Sequence, residues 1–90
     1  MYAVVTTVEL PEGGTTEQGR AMLESEVIPN LKTAPGFVTA YFLAPTDSRE
    51  GLSFVIFDNE ESARQASDGM APPPPVKLIH TEVREVVASA

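Results

Sequence analysis

Between Leu52 and Phe57 the chain is apolar at nearly every position, so that Leu52, Phe54 and Ile56 would line one face of a strand and Val55 and Phe57 the other. The run from Phe37 to Ala44 has the same two-sided character. Elsewhere the pattern changes period. Gly19, Leu23, Val27 and Leu31 recur at helical spacing, flanked by Met22 and Ile28, while Glu24 and Glu26 fall toward solvent. Thr15 or Thr16 can cap this helix, and Glu17 suits its positive end. Pro29 removes one backbone donor and predicts a bent or loosened last turn, and Pro35-Gly36 stops the helix. A first strand is predicted over 2–10, ending at Pro11-Glu12-Gly13-Gly14.

A polar connection, 45–51, joins the second strand to the third as a loose hairpin. A second, short helix carries Ala63, Ala66 and Met70 on a small-residue face. Its cap is either Asp58, paired with Glu61 in a capping box, or Asn59. Pro72-Pro73-Pro74-Pro75 predicts a stiff, extended spacer. In the last strand, about Val76 to Val87, Ile79, Thr81, Val83 and Glu85 alternate with Leu78, His80, Glu82 and Arg84. Its mixed polarity suits an edge.

The order strand, helix, strand, strand, helix, strand predicts an α+β, ferredoxin-like βαββαβ domain: a four-stranded antiparallel sheet with two helices on one face. The whole chain, 1–90, forms one domain in this reading. Two helices cover one sheet face only. The other face is also apolar, and the simplest cover is a second copy of the chain, giving a homodimer through the open sheet face.

Charge narrows the partners. Six basic against thirteen acidic residues leave a net charge of −7, with the bases scattered singly, which opposes binding to nucleic acid or to anionic membranes. The absence of cysteine removes thiolate catalysis and cysteine-ligated metals. The first residues lack the basic region of a signal peptide, so a cytoplasmic protein is expected. No carboxylate or histidine spacing marks a metal site, and Gly13-Gly14 lacks the lysine and hydroxyl of a phosphate loop.

Three stretches resemble the antibiotic-biosynthesis-monooxygenase type of dimeric α/β-barrel domain. They are Val27-Ile28-Pro29-Asn30-Leu31-Lys32 leading into Pro35-Gly36-Phe37-Val38, then Phe54 through Ala63, and the closing Glu82-Val83-Arg84-Glu85-Val86-Val87. The resemblance implies a homodimer and a substrate held between helices and sheet. It further implies cofactor-independent monooxygenation of a phenolic, quinol or polyketide-like molecule, with no bound cofactor. Haem-degrading members of that superfamily use an Asn on the first strand, a Trp and a His on the second helix. Thr6 or Thr7, Phe57 and Ala66 stand near those places, which argues against haem degradation.

The candidate catalytic residues are His80, Tyr41 and Asn59, and the candidate substrate-binding residue is Phe57. His80, the lone histidine, is suited to proton transfer, including isomerisation or cyclisation without oxygen, although its charged neighbours point to a solvated edge. Tyr41 and Tyr2 could donate to a phenolic oxygen, but packing in a dimer interface explains them more simply. Asn59 could orient a substrate oxygen, yet capping is the commoner role. Given the resemblance, Phe57 could stack on an aromatic ligand or fill the core. The competing function is a non-catalytic dimer that binds a small apolar ligand or serves as an interaction module.

Overall fold

All 90 residues, Met1–Ala90, are described by a computed structural model. Strand β1 (Tyr2–Glu9) leads into a helical segment built of α1 (Thr16–Met22), a π-helical turn (Leu23–Val27) and α2 (Ile28–Lys32). The hairpin β2 (Phe37–Leu43) and β3 (Glu50–Phe57) follows, then α3 (Glu60–Asp68) and β4 (Lys77–Glu85). The strands form one sheet in the order β2-β3-β1-β4, with every neighbouring pair antiparallel. This is the expected ferredoxin-like α+β topology, with β4 at an edge. No helix is long and apolar enough to cross a membrane.

Local chemistry explains the helix boundaries. Thr15 closes a capping box, its Oγ1 accepting from the Gln18 N–H while the Gln18 side chain accepts from the Thr15 N–H, both at 3.1 Å. For α3 the cap is Asn59, whose Oδ1 accepts from the Ser62 N–H at 2.8 Å; Asp58 instead accepts from the Asn59 amide. The loosening near Pro29 lies upstream of that residue. Lacking an N–H, Pro29 cannot donate to the Ser25 carbonyl, and the Ile28 N–H reaches back to Leu23 across a wider turn. The stripe Gly19, Leu23, Val27, Leu31 advances four residues at a time, and each step overshoots an α-turn by about 40°. The wider π turn takes back part of that drift, and all four positions remain half-buried.

Three sequence expectations need correction. The four prolines do not form a straight spacer: the Val76 N–H donates to the Pro73 carbonyl at 3.1 Å, closing a turn whose Pro74–Pro75 peptide is cis. The second correction is a bulge in β4. His80 opposes Thr7 and Leu78 opposes Val8, so Ile79 is the extra residue and the simple alternation breaks there. A matching irregularity occurs in β2, where Phe37 opposes Phe57 and Thr39 opposes Ile56, leaving Val38 as the extra residue.

The register sorts residues onto two faces. Toward the helices lie Val4 and Thr6 of β1, Val55 and Phe57 of β3, Val83 of β4, and Phe37 and Ala40 of β2. The core is Val4, Val55, Phe57 and Ala63, with Leu31, Ala34, Phe37, Ala40, Ala66, Met70 and Val83 packed around it. Because Leu31 and Ala63 touch the same cluster, both helical segments cover the same face. The backbone of α3 lies close against β1, β3 and β4, whereas α1 makes no comparable approach to the sheet.

The opposite face reads in three rows across β2, β3, β1 and β4: Leu43, Leu52, Thr7, His80; then Tyr41, Phe54, Val5, Glu82; then Thr39, Ile56, Ala3, Arg84. It is apolar at the β2–β3 side, small at β1 and charged along β4. Nothing in the chain covers it, and Tyr41 is 60% and Leu43 47% exposed. Only six of the ninety residues are buried. The accessible surface is 6084 Å², about 1,000 Å² above the roughly 5,100 Å² that the size scaling gives for a folded 9.6 kDa monomer.

Candidate functional site

A cleft of about 270 Å³ opens between the C-terminal part of the first helical segment and β2. Its walls are Ile28 and Leu31 of α2 and Phe37, Val38, Ala40 and Phe42 of β2. Lys32 and Thr39 are the two polar members, and Lys32 carries the only charge. Two backbone irregularities build these walls. The π turn sets the phase at which α2 presents Ile28 and Leu31. The Val38 bulge lets Phe37 share the helix side with Ala40, where its ring meets Phe57 edge-on, with centroids 6.3 Å apart and planes at 78°.

Such a cleft provides apolar contact for a flat ligand and little proton-transfer chemistry. Its volume falls just below that of ordinary small-molecule sites, about 300–1,000 Å³. The candidate residues do not converge on it. Phe57 is buried at 1% exposure, behind Phe37 in the core. Asn59 caps α3 with both ends of its amide engaged. Tyr41 and His80 lie on the opposite, open face of the sheet, on different strands. His80 has Glu82 beside it, with Nε2 to Oε1 at 3.6 Å, and Arg84 donates to Glu82 at 2.8 Å, forming an exposed row along β4. Tyr2 packs against the core cluster.

Sequence reading missed Lys32, Phe37 and Phe42 as wall residues. A signal for Lys32 was present: it stands four residues after Ile28, which places a charge on an apolar stretch of helix. No comparable signal existed for Phe37, because its side of the sheet depends on the bulge.

A second polar feature lies under α3. The buried Thr6 hydroxyl lies 3.3 Å from the Thr81 hydroxyl, which lies 3.3 Å from that of Ser67. These groups satisfy one another, and no buried side-chain polar atom lacks a partner.

The backbone is thus a ferredoxin-like α+β fold, a four-stranded antiparallel sheet with both helical segments on one face. Two solved structures share it over essentially their whole length. One is the haem-degrader MhuD from Mycobacterium tuberculosis with two haems bound in its active site, at TM-score 0.68 and 15% identity, covering 100% of this chain and 99% of that one. The other is an Arg-to-Ser variant of MhuD with two manganese protoporphyrin IX molecules per active site, at TM-score 0.66 and 17% identity, covering 100% and 98%. At these identities the likeness is one of fold. No protein-family model and no curated protein matches the sequence.

Haem, the group those proteins hold, does not fit the cleft described above. Its walls offer no imidazole, thiolate, phenol or thioether as an axial ligand for iron. The lone histidine is on the other face of the sheet. Near the places where the resemblance sets the haem degraders' residues, Thr6 is buried and paired with Thr81, Thr7 faces the open side, and Ala66 packs against the core.

Proposed function

We propose that the protein is a homodimer whose subunits each bind a flat, apolar small molecule between the first helical segment and β2. The observation that carries this reading is the cleft itself, lined by six apolar residues between α2 and β2. The dimer is supported separately by the bare apolar face and the excess surface. Each subunit would lose about 800 Å² in an interface of ordinary size, close to that excess.

The reaction class we propose is cofactor-independent monooxygenation of a phenolic, quinol or polyketide-like substrate. Such a substrate supplies its own electrons. One atom of dioxygen becomes a carbonyl oxygen on a ring carbon, and the other leaves as water with the hydrogen of that carbon and the hydrogen of the phenolic hydroxyl. The protein would hold the substrate in one orientation and exclude water from it. A second reading, ligand binding without turnover, is favoured by the placement of Tyr41 and His80 away from the cleft.

The test is a titration with a panel of phenols, quinols and flat polyketides, followed by nuclear magnetic resonance at Ile28, Phe37 and Phe42 and by an oxygen electrode. Saturable shifts at those residues with stoichiometric oxygen uptake support the oxygenase. Shifts without uptake support the binding protein, and no shifts with any compound overturn both.

A further inference from the structure

We infer that the cleft selects organic anions, a flat apolar body bearing a carboxylate or phenolate, and that Lys32 is the residue that selects them. This deepens the proposed function and rests on its placement of the ligand. Lys32 is the only charged residue on the walls, and it takes part in no ion pair or side-chain hydrogen bond. By contrast, Arg64 is paired with Glu60 and Arg84 with Glu82. Arg20, Arg49 and Lys77 are likewise without an ion pair, but none of them lines the apolar cleft, so it is the position of Lys32 that sets it apart. A lysine in the last helical turn also suits the negative end of that helix, but this accounts for the charge and not for its place on a ligand-sized wall.

The chemistry follows from the side chain. An exposed lysine on an apolar wall lays its aliphatic stem against its neighbours and keeps its ammonium toward water. A ligand whose rings lie against Phe37, Ala40 and Phe42 would therefore meet positive charge at the mouth of the cleft. No second charge on the walls competes for it. The field of the whole molecule, at −7, repels anions in general, so any preference for an acid must come from this local cation.

The experiment compares naphthalene carboxylate with its neutral methyl ester, using the full chain and its Lys32→Gln variant, with affinity read by fluorescence titration. Because Lys32 is exposed, the variant should keep the native circular dichroism. The acid is expected to bind about threefold more tightly than the ester, the scale of an exposed ion pair. Lys32→Gln should bring the ratio of acid to ester affinity to about one, whatever common change the altered wall imposes on both compounds. Equal binding of acid and ester to the unaltered protein overturns the inference and leaves the cleft reading standing. So does an acid preference that survives Lys32→Gln. If neither compound binds or shifts the resonances of Phe37 and Phe42, the cleft reading fails, and the inference fails with it.

Discussion

Gly36 has a φ of +76°, a backbone region where an L side chain is strained, and it lies directly against the start of α3. A Cβ added there would stand 2.8 Å from both Asn59 Nδ2 and Asp58 Oδ1 and 2.9 Å from Ser62 Oγ. The Gly36 carbonyl also accepts from the Asp58 N–H at 2.8 Å. One residue thus joins the entry of β2 to the cap of α3. Gly36→Ala should destabilise the protein by about 1–2 kcal/mol from backbone strain alone, with more from the clash. Thermal unfolding should move down by about 5–15 °C for a domain of this size; an unchanged midpoint would contradict this account of the junction. The sequence marked Pro35-Gly36 as a helix stop. It could not reveal the contact with α3, which is made between residues more than twenty positions apart.

At the scale of elements, Pro29 and the π turn are one device. Pro29→Ala supplies the missing N–H, which can close an α-turn onto the Ser25 carbonyl. In the variant the amide newly present at position 29 should be protected from hydrogen exchange, and Ile28 and Leu31 should rotate relative to the sheet, weakening the proposed binding in the cleft. A freely exchanging amide at position 29 would show that the turn is held by something other than the proline. Most elements were legible in the sequence because a local signal specified each: a β-branched run ending at a Pro-Gly turn for β1, helical spacing in 16–32, alternation in β4, and capping side chains at Thr15 or Thr16 and at Asp58 or Asn59. The positions of Val38 and Ile79 were not. A bulge leaves composition and length unchanged, and only the pairing with a neighbouring strand decides where the extra residue falls. The cleft was equally hidden, since half of it depends on the phase of a distorted helix and half on one of those bulges.

For the whole molecule, the two sides of β3 carry different loads. Val55 is 3% exposed among the core residues, while Phe54 lies in the middle row of the open face between Tyr41 and Val5. Val55→Asp buries an unpaired charge and should prevent folding. Phe54→Asp should leave native circular dichroism and convert a dimer, at twice 9.6 kDa by sedimentation, into a monomer. A native monomer before any substitution would remove the proposed cover for the open face. The apolar quality of both faces was clear from Leu52 through Phe57; which face met the helices depended on pairing with β1.

Both edge strands are interrupted, β2 at Val38 and β4 at Ile79, whereas the central β1–β3 pairing runs without a break from Tyr2 to Glu9. A regular outer strand is a template onto which another chain can add, and its repetition leads to open-ended fibres. The two interruptions spoil that template on each side of the sheet. Growth by strand addition is discouraged at both margins, which leaves the open face as the surface through which the proposed dimer would form, an association that closes after one partner.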